Sequence, residues 1–263
     1  MGTVGVLRGR CAVVACAAVL AAAAAAGCTS SIATPATIFI TPRPAPGTPG
    51  PTPVVGGVVI SSNAPDGRWT VTFKKPVIAG ISKAVADKIN DAVTETVNGY
   101  ISAFTGSGLP AVKSGGAAST LDGDFSIALD SPTIISLRFS LITTVSGKSA
   151  VGKPASLNFV APSGEKIALA DILKDPKSAL PTLSSEAHAV LAASLGKSLT
   201  WAGPATSMSF FEEAWTMTQS GLEFTWAQGE IAGGGAGMPS AILAWSSIGS
   251  IVNPDSPAGE FVG

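Results

Sequence analysis

The sequence predicts an α+β domain in which an antiparallel sheet carries two main helices packed on one face. Apolar and polar residues alternate in several short segments, as they do in strands with one buried face. Two longer segments place apolar residues three or four positions apart, as in amphipathic helices. Because strand and helix segments do not alternate regularly along the chain, an antiparallel sheet is favoured over a parallel one.

The strand pattern is clearest between Arg68 and Val77, where every apolar residue from Trp69 onward has the same parity. Similar alternation occurs at 125–129, 135–141 and 157–159. Near the end of the chain, two alternating segments flank Gln219-Ser220-Gly221. Two strands separated by such a short polar turn predict a hairpin.

Two segments have the helical pattern. The first runs from Ser82 to Phe104, with Ser82 as a plausible cap and Gly106 as a stop signal. The second runs from about Pro181 or Thr182 to Leu195 and ends before Gly196. Both segments carry an apolar stripe, so we expect both helices to pack against the sheet.

The first 27 residues have the features of an export signal. Arg8 and Arg10 precede an uncharged run of small and apolar residues from Cys11 to Ala26, which is too short to span a bilayer comfortably. The run ends in Ala25-Ala26-Gly27-Cys28, which resembles the lipobox of bacterial lipoproteins, although Leu is more usual at the position of Ala25. This resemblance predicts cleavage before Cys28 and lipidation of its thiol, which would anchor the protein to a membrane.

A proline-rich linker is predicted for residues 28–56, between the lipidated cysteine and the folded domain at 57–263. Seven prolines lie between Thr29 and Val55. Proline at this density prevents helix formation and favours an extended spacer. We therefore expect the domain to be held away from the membrane surface, on the outer side of the cell membrane.

Composition excludes several classes of function. The chain has 16 Lys and Arg residues against 17 Asp and Glu residues, so it lacks the basic surface typical of nucleic-acid binding. A single histidine excludes metal motifs that need two, and no metal or other cofactor is expected. Cleavage before Cys28 would leave one cysteine, already acylated, and therefore no thiol chemistry or internal disulfide.

The order of several segments resembles the C-terminal domain of the anti-sigma factor RsiV, which also occurs in secreted mycobacterial immunogenic proteins. The segments are Trp69–Gly80, Lys88–Asp91, Ser136–Ser140, Ser156–Phe159, Ser163–Leu169, Asp171–Leu173 and Gly221–Trp226 through Ala236-Gly237. The resemblance implies an α+β domain outside the membrane and, by analogy with RsiV, binding of lysozyme or a cell-wall component. It brings no agreed catalytic residue. Many relatives have Gly-Gly-Ala-His where this chain has Ser146–Ser149, so that histidine has no counterpart here.

Candidate ligand-binding residues lie near the end of the chain. Trp201, before Gly203-Pro204, is the least constrained of the five tryptophans and could form a surface platform. The backbone of a glycine-rich loop could bind an anion through Gly229, Gly233, Gly235 and Gly237. The competing interpretation is that Trp201 packs in the core and that the glycines form a tight loop.

No catalytic template is complete. His188 is the only histidine that could serve as the base of a hydrolase, and no Gly-x-Ser-x-Gly motif accompanies it. Glu223 alternates with Leu222 and Phe224, so we expect it to face solvent. Asp122-Gly-Asp124 lacks the further ligands of a calcium loop and is expected to form a hairpin turn.

These observations predict a lipid-anchored protein of the cell envelope whose domain binds a ligand or partner without catalysing a reaction. The alternatives are a weak esterase or other envelope hydrolase that uses His188, and a protein that binds lysozyme or peptidoglycan. The hydrolase alternative depends on a single side chain, whereas the binding alternatives depend on the resemblance to RsiV.

Overall fold

The described part of the chain is built around two β-sheets. The computed structural model describes residues 50–112, 116–201 and 204–262, so Cys28, the predicted signal peptide and most of the predicted linker lie outside the described residues. The strands are β1 (Val54–Asn63), β2 (Trp69–Ala79), β3 (Ser119–Asp130), β4 (Ile134–Thr144), β5 (Val151–Val160), β6 (Glu165–Lys166), β7 (Trp215–Met217), β8 (Gly221–Thr225) and β9 (Ser240–Ala244). The helices are α1 (Lys83–Thr105), α2 (Pro176–Leu195), α3 (Ser209–Glu212) and α4 (Trp245–Ile248).

The large sheet contains six strands in the order β1-β2-β3-β4-β5-β6. All neighbouring strands are antiparallel except β2 and β3, which are parallel. The exception follows from the connection, because two adjacent parallel strands need a crossover and α1 supplies it. The first strand begins at Val54, inside the range predicted as linker.

Helix α1 covers one face of the large sheet, as its apolar stripe predicts. Ile89, Val93 and Val97 are completely buried and belong to one hydrophobic core with Phe73 of β2 and Phe139 of β4. The helix ends at Thr105 with Gly106 as its C-terminal cap, as the predicted stop signal requires, and the amide of Gly106 donates to the carbonyl of Ser102. The α+β class and the long first helix are therefore confirmed.

A β-bulge in β3 changes which side chains face the helix. The register between β3 and β4 shifts between Ile127 and Leu129. Before the bulge, Leu121 packs in the core beneath α1, whereas after it Leu129 packs in the second core on the opposite side. Such a bulge inserts one residue and so reverses the alternation that follows.

The small sheet has the order β7-β8-β9. The edge of β7 packs against one face of the large sheet, and α1 covers the other face. The amide of Trp215 donates to Ser156 Oγ at 3.1 Å, and Asn158 Nδ2 donates to the carbonyl of Trp215 at 3.0 Å. The amide of Met217 donates to Ser136 Oγ at 3.0 Å. Side chains of β4 and β5 thus satisfy an edge that would otherwise leave backbone groups unpaired.

Helix α2 packs on the small sheet, where Leu183, Ala187 and Leu191 are completely buried. The predicted helices therefore cover two sheets, one each, rather than a single sheet. Helix α2 begins at Pro176, before the predicted start, because Asp175 caps it by accepting from the amides of Lys177 and Ser178. Pro181, one of the two predicted starts, lies inside the helix.

The predicted turn at Asp122-Gly-Asp124 is wrong, because these residues lie within β3. Glycine occurs there because a Cβ atom on Gly123 would overlap the ring of Phe73 on the neighbouring strand. The segment therefore needs glycine for close packing between strands rather than for a change of chain direction. Among the helices of the described residues, none has the length and apolarity needed to cross a membrane.

Candidate ligand site between the two sheets

A cavity of about 410 Å³ lies where the small sheet meets the large one. We call it the sheet-junction cavity. Its lining comes from β3, β4, β5, β8, β9 and the residues just before β9: Asp124, Phe125, Ser126, Arg138, Phe139, Ser140, Pro154, Thr225, Met238 and Ser240. The volume is within the range of small-molecule sites, which often lie between structural units.

Strand register explains why the polar side chains of the large sheet converge here. Ser126 lies opposite Arg138, and Asp124 lies opposite Ser140. Directly opposed residues of an antiparallel pair point to the same face. Since Arg138 reaches the small sheet, all four side chains share the face that looks toward it, and the cavity floor is polar.

The small sheet supplies the opposing wall. Thr225 of β8 lies opposite Ser240 of β9, and Thr225 has the same parity as Glu223. Arg138 Nη1 donates to Glu223 Oε1, which joins the two sheets through an ion pair. The side chain of Glu223 is 11% exposed and that of Arg138 is 35% exposed, so the pair is largely buried where the sheets meet, and Arg138 is the member that lines the cavity.

The expectation that Glu223 faces solvent is therefore wrong. The alternation along β8 was interpreted correctly, because Glu223 does point away from the core that α2 covers. That second face of the strand lies against the large sheet instead of solvent, and Glu223 is buried there with Arg138 as its partner. A buried carboxylate needs such a partner, since desolvating an unpaired charge is costly.

A second pair of charges lies at the β3 side of the cavity. Lys74 Nζ is 3.8 Å from Asp124 Oδ1 and 5.3 Å from the centre of the Phe125 ring. Both charged side chains are more than half exposed. The cavity and its border therefore hold two cations and two anions, and their formal charges balance.

Trp201 is half-buried against the core of the small sheet. Its ring centre lies 4.8 Å from that of Phe210 and 5.5 Å from that of His188. The amide of Trp201 donates to the carbonyl of Ile231. Trp201 is thus part of an aromatic cluster beside the glycine-rich loop, and it does not line the sheet-junction cavity.

The four candidate glycines differ in whether their backbone conformation favours glycine. Gly229 and Gly237 have positive φ values of 84° and 68°, which glycine adopts readily. Gly233 and Gly235 have negative φ, and a Cβ on either would meet no atom within 4 Å. These two line a shallow cleft of about 570 Å³, together with Lys197, Ser198 and other exposed residues near the end of α2.

His188 is exposed on α2, and its ring meets the edge of Trp201. Within the described ranges it forms no hydrogen bond with a carboxylate or a hydroxyl, so no base and nucleophile are paired there. The same residues contain no group of three or more His, Cys, Asp or Glu side chains that could hold a metal ion.

Sequence reasoning did not identify Arg138, Ser126, Ser140, Thr225 or Ser240 as site residues. Two of the segments that carry the resemblance to RsiV, Ser136–Ser140 and Gly221–Trp226, nevertheless meet through the ion pair between Arg138 and Glu223. The alternation of Arg138 with Leu137 and Phe139 is also the pattern of a strand with one solvated face, so the sequence offered no distinct signal for this site.

Two solved structures resemble this fold. A member of the DUF3298 family from Bacteroides fragilis is 13% identical, has a TM-score of 0.54 and covers 81% of this chain and 99% of its own. A DUF3298 family protein from Pseudomonas aeruginosa is 10% identical, has a TM-score of 0.59 and covers 79% of this chain and 97% of its own.

No family model matches the sequence, and neither does any curated protein. The two structural neighbours are not named as relatives of RsiV, so that resemblance stays a prediction. At such low identity the likeness shows the fold alone: the chain has the α+β fold of solved DUF3298 family proteins.

Proposed function

We propose that this protein is a lipid-anchored binding protein of the cell envelope, whose ligand occupies the sheet-junction cavity. The export signal and Cys28 support the anchor. The proline-rich linker supports a domain held outside the membrane. The observation that carries the binding role is the cavity itself, which lies between two sheets, has polar and apolar groups in its lining, and includes Arg138, the partner of Glu223.

Binding without catalysis is supported by the chemistry of the cavity lining. Its hydroxyl groups belong to Ser126, Ser140, Thr225 and Ser240, and a serine or threonine nucleophile needs a base within hydrogen-bonding distance. His188 does not line the cavity. Asp124, the carboxylate of the lining, forms no hydrogen bond with any of these hydroxyls, so among the described residues the cavity offers hydrogen-bond donors and acceptors but no paired base and nucleophile.

A cavity-filling variant tests this proposal. Ser240 is exposed at the cavity wall, so Ser240→Trp places a large side chain in the cavity with little demand on the core. A thermal-shift screen of small polar molecules should give ligands that raise the Tm of the wild-type protein, because a ligand that binds only the folded state stabilises it. The same ligands should leave the Tm of S240W unchanged.

The matched control is Ser102→Trp, since Ser102 is exposed on α1 and α1 covers the opposite face of the large sheet. Every ligand should still stabilise S102W. Ligands that stabilise S240W as well as the wild type would bind elsewhere, and this result would contradict a role for the cavity.

A further inference from the structure

We infer that the ligand of the sheet-junction cavity is a neutral sugar, that is, a ring bearing several hydroxyl groups and no net charge. This inference rests on the proposed function and adds the chemical class of the ligand. It follows from three properties of the cavity: unused hydroxyl groups on both walls, balanced charges, and an apolar surface beside the polar one.

The hydroxyl groups of the cavity are not used by the fold. Ser126, Ser140, Thr225 and Ser240 line the cavity, and their side chains form no hydrogen bond with any residue that the structure describes. Neighbouring hydroxyls outside the lining behave differently, because Ser136 and Ser156 accept from the backbone of β7. The four lining hydroxyls are therefore available to a ligand, two from each sheet.

A hydroxyl group both donates and accepts a hydrogen bond. Four such groups on opposing walls best match a compact ligand with several polar groups around it, each of which can both donate and accept a hydrogen bond. Sugar hydroxyls have this property, whereas a carboxylate only accepts and an ammonium group only donates. The wall chemistry thus favours a polyhydroxylated ring over a small ion.

Arg138 and Asp124 add directional partners of opposite kind. Arg138 uses Nη1 for Glu223, and its remaining guanidinium nitrogens bond to none of the described residues. Asp124 Oδ1 accepts from the amide of Phe125 at 2.8 Å, which leaves Oδ2 for a ligand. The ion pair with Glu223 fixes the guanidinium before binding, so less side-chain entropy is lost when a ligand hydroxyl accepts from it.

The charge balance opposes a charged ligand. Arg138 is neutralised by Glu223, and Lys74 lies beside Asp124. An anion at the free guanidinium nitrogens of Arg138 would lie near the carboxylate of Glu223, and a cation at Asp124 Oδ2 would lie near Lys74, so each would meet a like charge. A neutral ligand meets neither penalty, since it needs no uncompensated counter-charge.

Apolar side chains complete the cavity. Pro154, which lies opposite Ser140, and Met238 lie in the same lining as the hydroxyls, whereas the side chain of Phe125 packs against the core beneath α1. A sugar ring has an apolar face of C–H groups, and that face loses contact with water when it packs against such side chains. The cavity volume of about 410 Å³ is small by the standard of ligand sites, which favours one sugar unit over a long chain.

The test uses the full-length chain in phospholipid nanodiscs, with methyl β-glucoside and N-acetylglucosamine as probes and saturation-transfer NMR as the readout. We expect saturation transfer to the ring protons of at least one sugar, with weak, roughly millimolar binding. The double variant Ser126→Ala with Ser240→Ala should weaken binding about tenfold or more. Both side chains are exposed, so we expect this variant to keep the wild-type circular dichroism and Tm.

Ser102→Ala on α1 is the matched control, and it should bind the sugars as the wild type does. Equal binding by S102A and the double variant would place the sugar elsewhere and overturn the inference. Acetate, phosphate and glycine serve as charged probes. If they bind at the cavity while both sugars fail, the ligand class is wrong and the proposed function stands. If no probe binds there and the thermal-shift screen is also negative, both proposals fail.

Discussion

Arg138 is the residue on which the candidate site depends most. It lies on β4, reaches across to Glu223 on β8, and lines the cavity between them. Its partner is buried, so removing the arginine would leave a carboxylate with little access to water. The same side chain therefore has a structural role, joining the sheets, and a proposed binding role.

We predict that Arg138→Gln lowers the free energy of unfolding by about 1–3 kcal/mol, because Glu223 loses its charged partner in a poorly hydrated place. Urea denaturation followed by circular dichroism measures the change. Arg68→Gln is the control, since Arg68 pairs with Asp66 where both side chains are about half exposed, and its effect should stay below about 1 kcal/mol. Equal effects of the two variants would contradict a special role for the pair between the sheets.

Gly123 provides a second prediction at the level of one residue. The ring of Phe73 occupies the space that a Cβ atom on Gly123 would need. We therefore expect Gly123→Ala to destabilise the fold by about 1–3 kcal/mol through overpacking. Gly99→Ala is the matched control: Gly99 lies within α1 and a Cβ there would meet no atom within 4 Å. That variant should instead stabilise the protein by about 0.5–1 kcal/mol, because alanine is the better helix former. Thermal unfolding of both variants measures the contrast, and a neutral G123A would show that the two strands can separate at no cost.

At the scale of secondary-structure elements, the junction between the sheets depends on a few side chains. Asn158 and Ser136 are almost completely buried, which is unusual for polar residues unless they are hydrogen-bonded. Ser136 Oγ donates to Asn158 Oδ1, and Asn158 Nδ2 donates to the carbonyl of Trp215. The network replaces the neighbouring strand that β7 lacks.

We therefore expect Asn158→Ala to cost about 1–3 kcal/mol of unfolding free energy, since it leaves a buried carbonyl of β7 without its donor. The control is Asn98→Ala on α1, where the side chain is exposed and the change should be near zero or slightly stabilising. Chemical denaturation of the two variants gives the comparison. If N158A lost no more unfolding free energy than N98A, water or a shifted strand would have to supply a hydrogen bond to the carbonyl of Trp215.

Local patterns predicted the elements better than their assembly. The apolar spacing of Ile89, Val93 and Val97 was sufficient for α1, and the alternation around Gln219–Gly221 was sufficient for the hairpin of β7 and β8. The sequence could not reveal that this hairpin belongs to a second sheet, because a strand carries the same alternation whichever sheet it joins. The parallel pairing of β2 with β3 was missed for a similar reason: it depends on the path of α1 across the sheet.

The candidate site was harder to predict than the fold. Its hydroxyl groups belong to serines and threonines, which occur throughout the chain and give no distinctive spacing. The alternation around Glu223 predicts solvent exposure for a strand in a single sheet, whereas in the structure Glu223 is buried against the large sheet. Trp201 and the glycine-rich loop were conspicuous in the sequence, yet much of their structure is explained by packing around Phe210 and by the positive φ values of Gly229 and Gly237.

At the scale of the whole molecule, the proposed function depends on where the chain is held. We predict that mass spectrometry of the protein from its native membranes finds a lipidated N-terminal Cys28 and no residues before it. Cys28→Ala should remove the protein from the membrane fraction, so that it can be recovered without detergent. An unmodified Cys28, or an intact first 27 residues, would contradict the anchor.

Because the small sheet is held at its β7 edge, the residues that set the shape of the cavity differ from the residues that line it. Ser136, Ser156 and Asn158 hold β7 in place, and none of them lines the cavity. Exchanging these three residues would tilt the wall that bears Thr225 and Ser240 while every group that could touch a ligand stayed the same. Under the proposed function, the ligand preference of this chain could therefore change through residues beneath the site, where a comparison limited to the lining residues would find no difference.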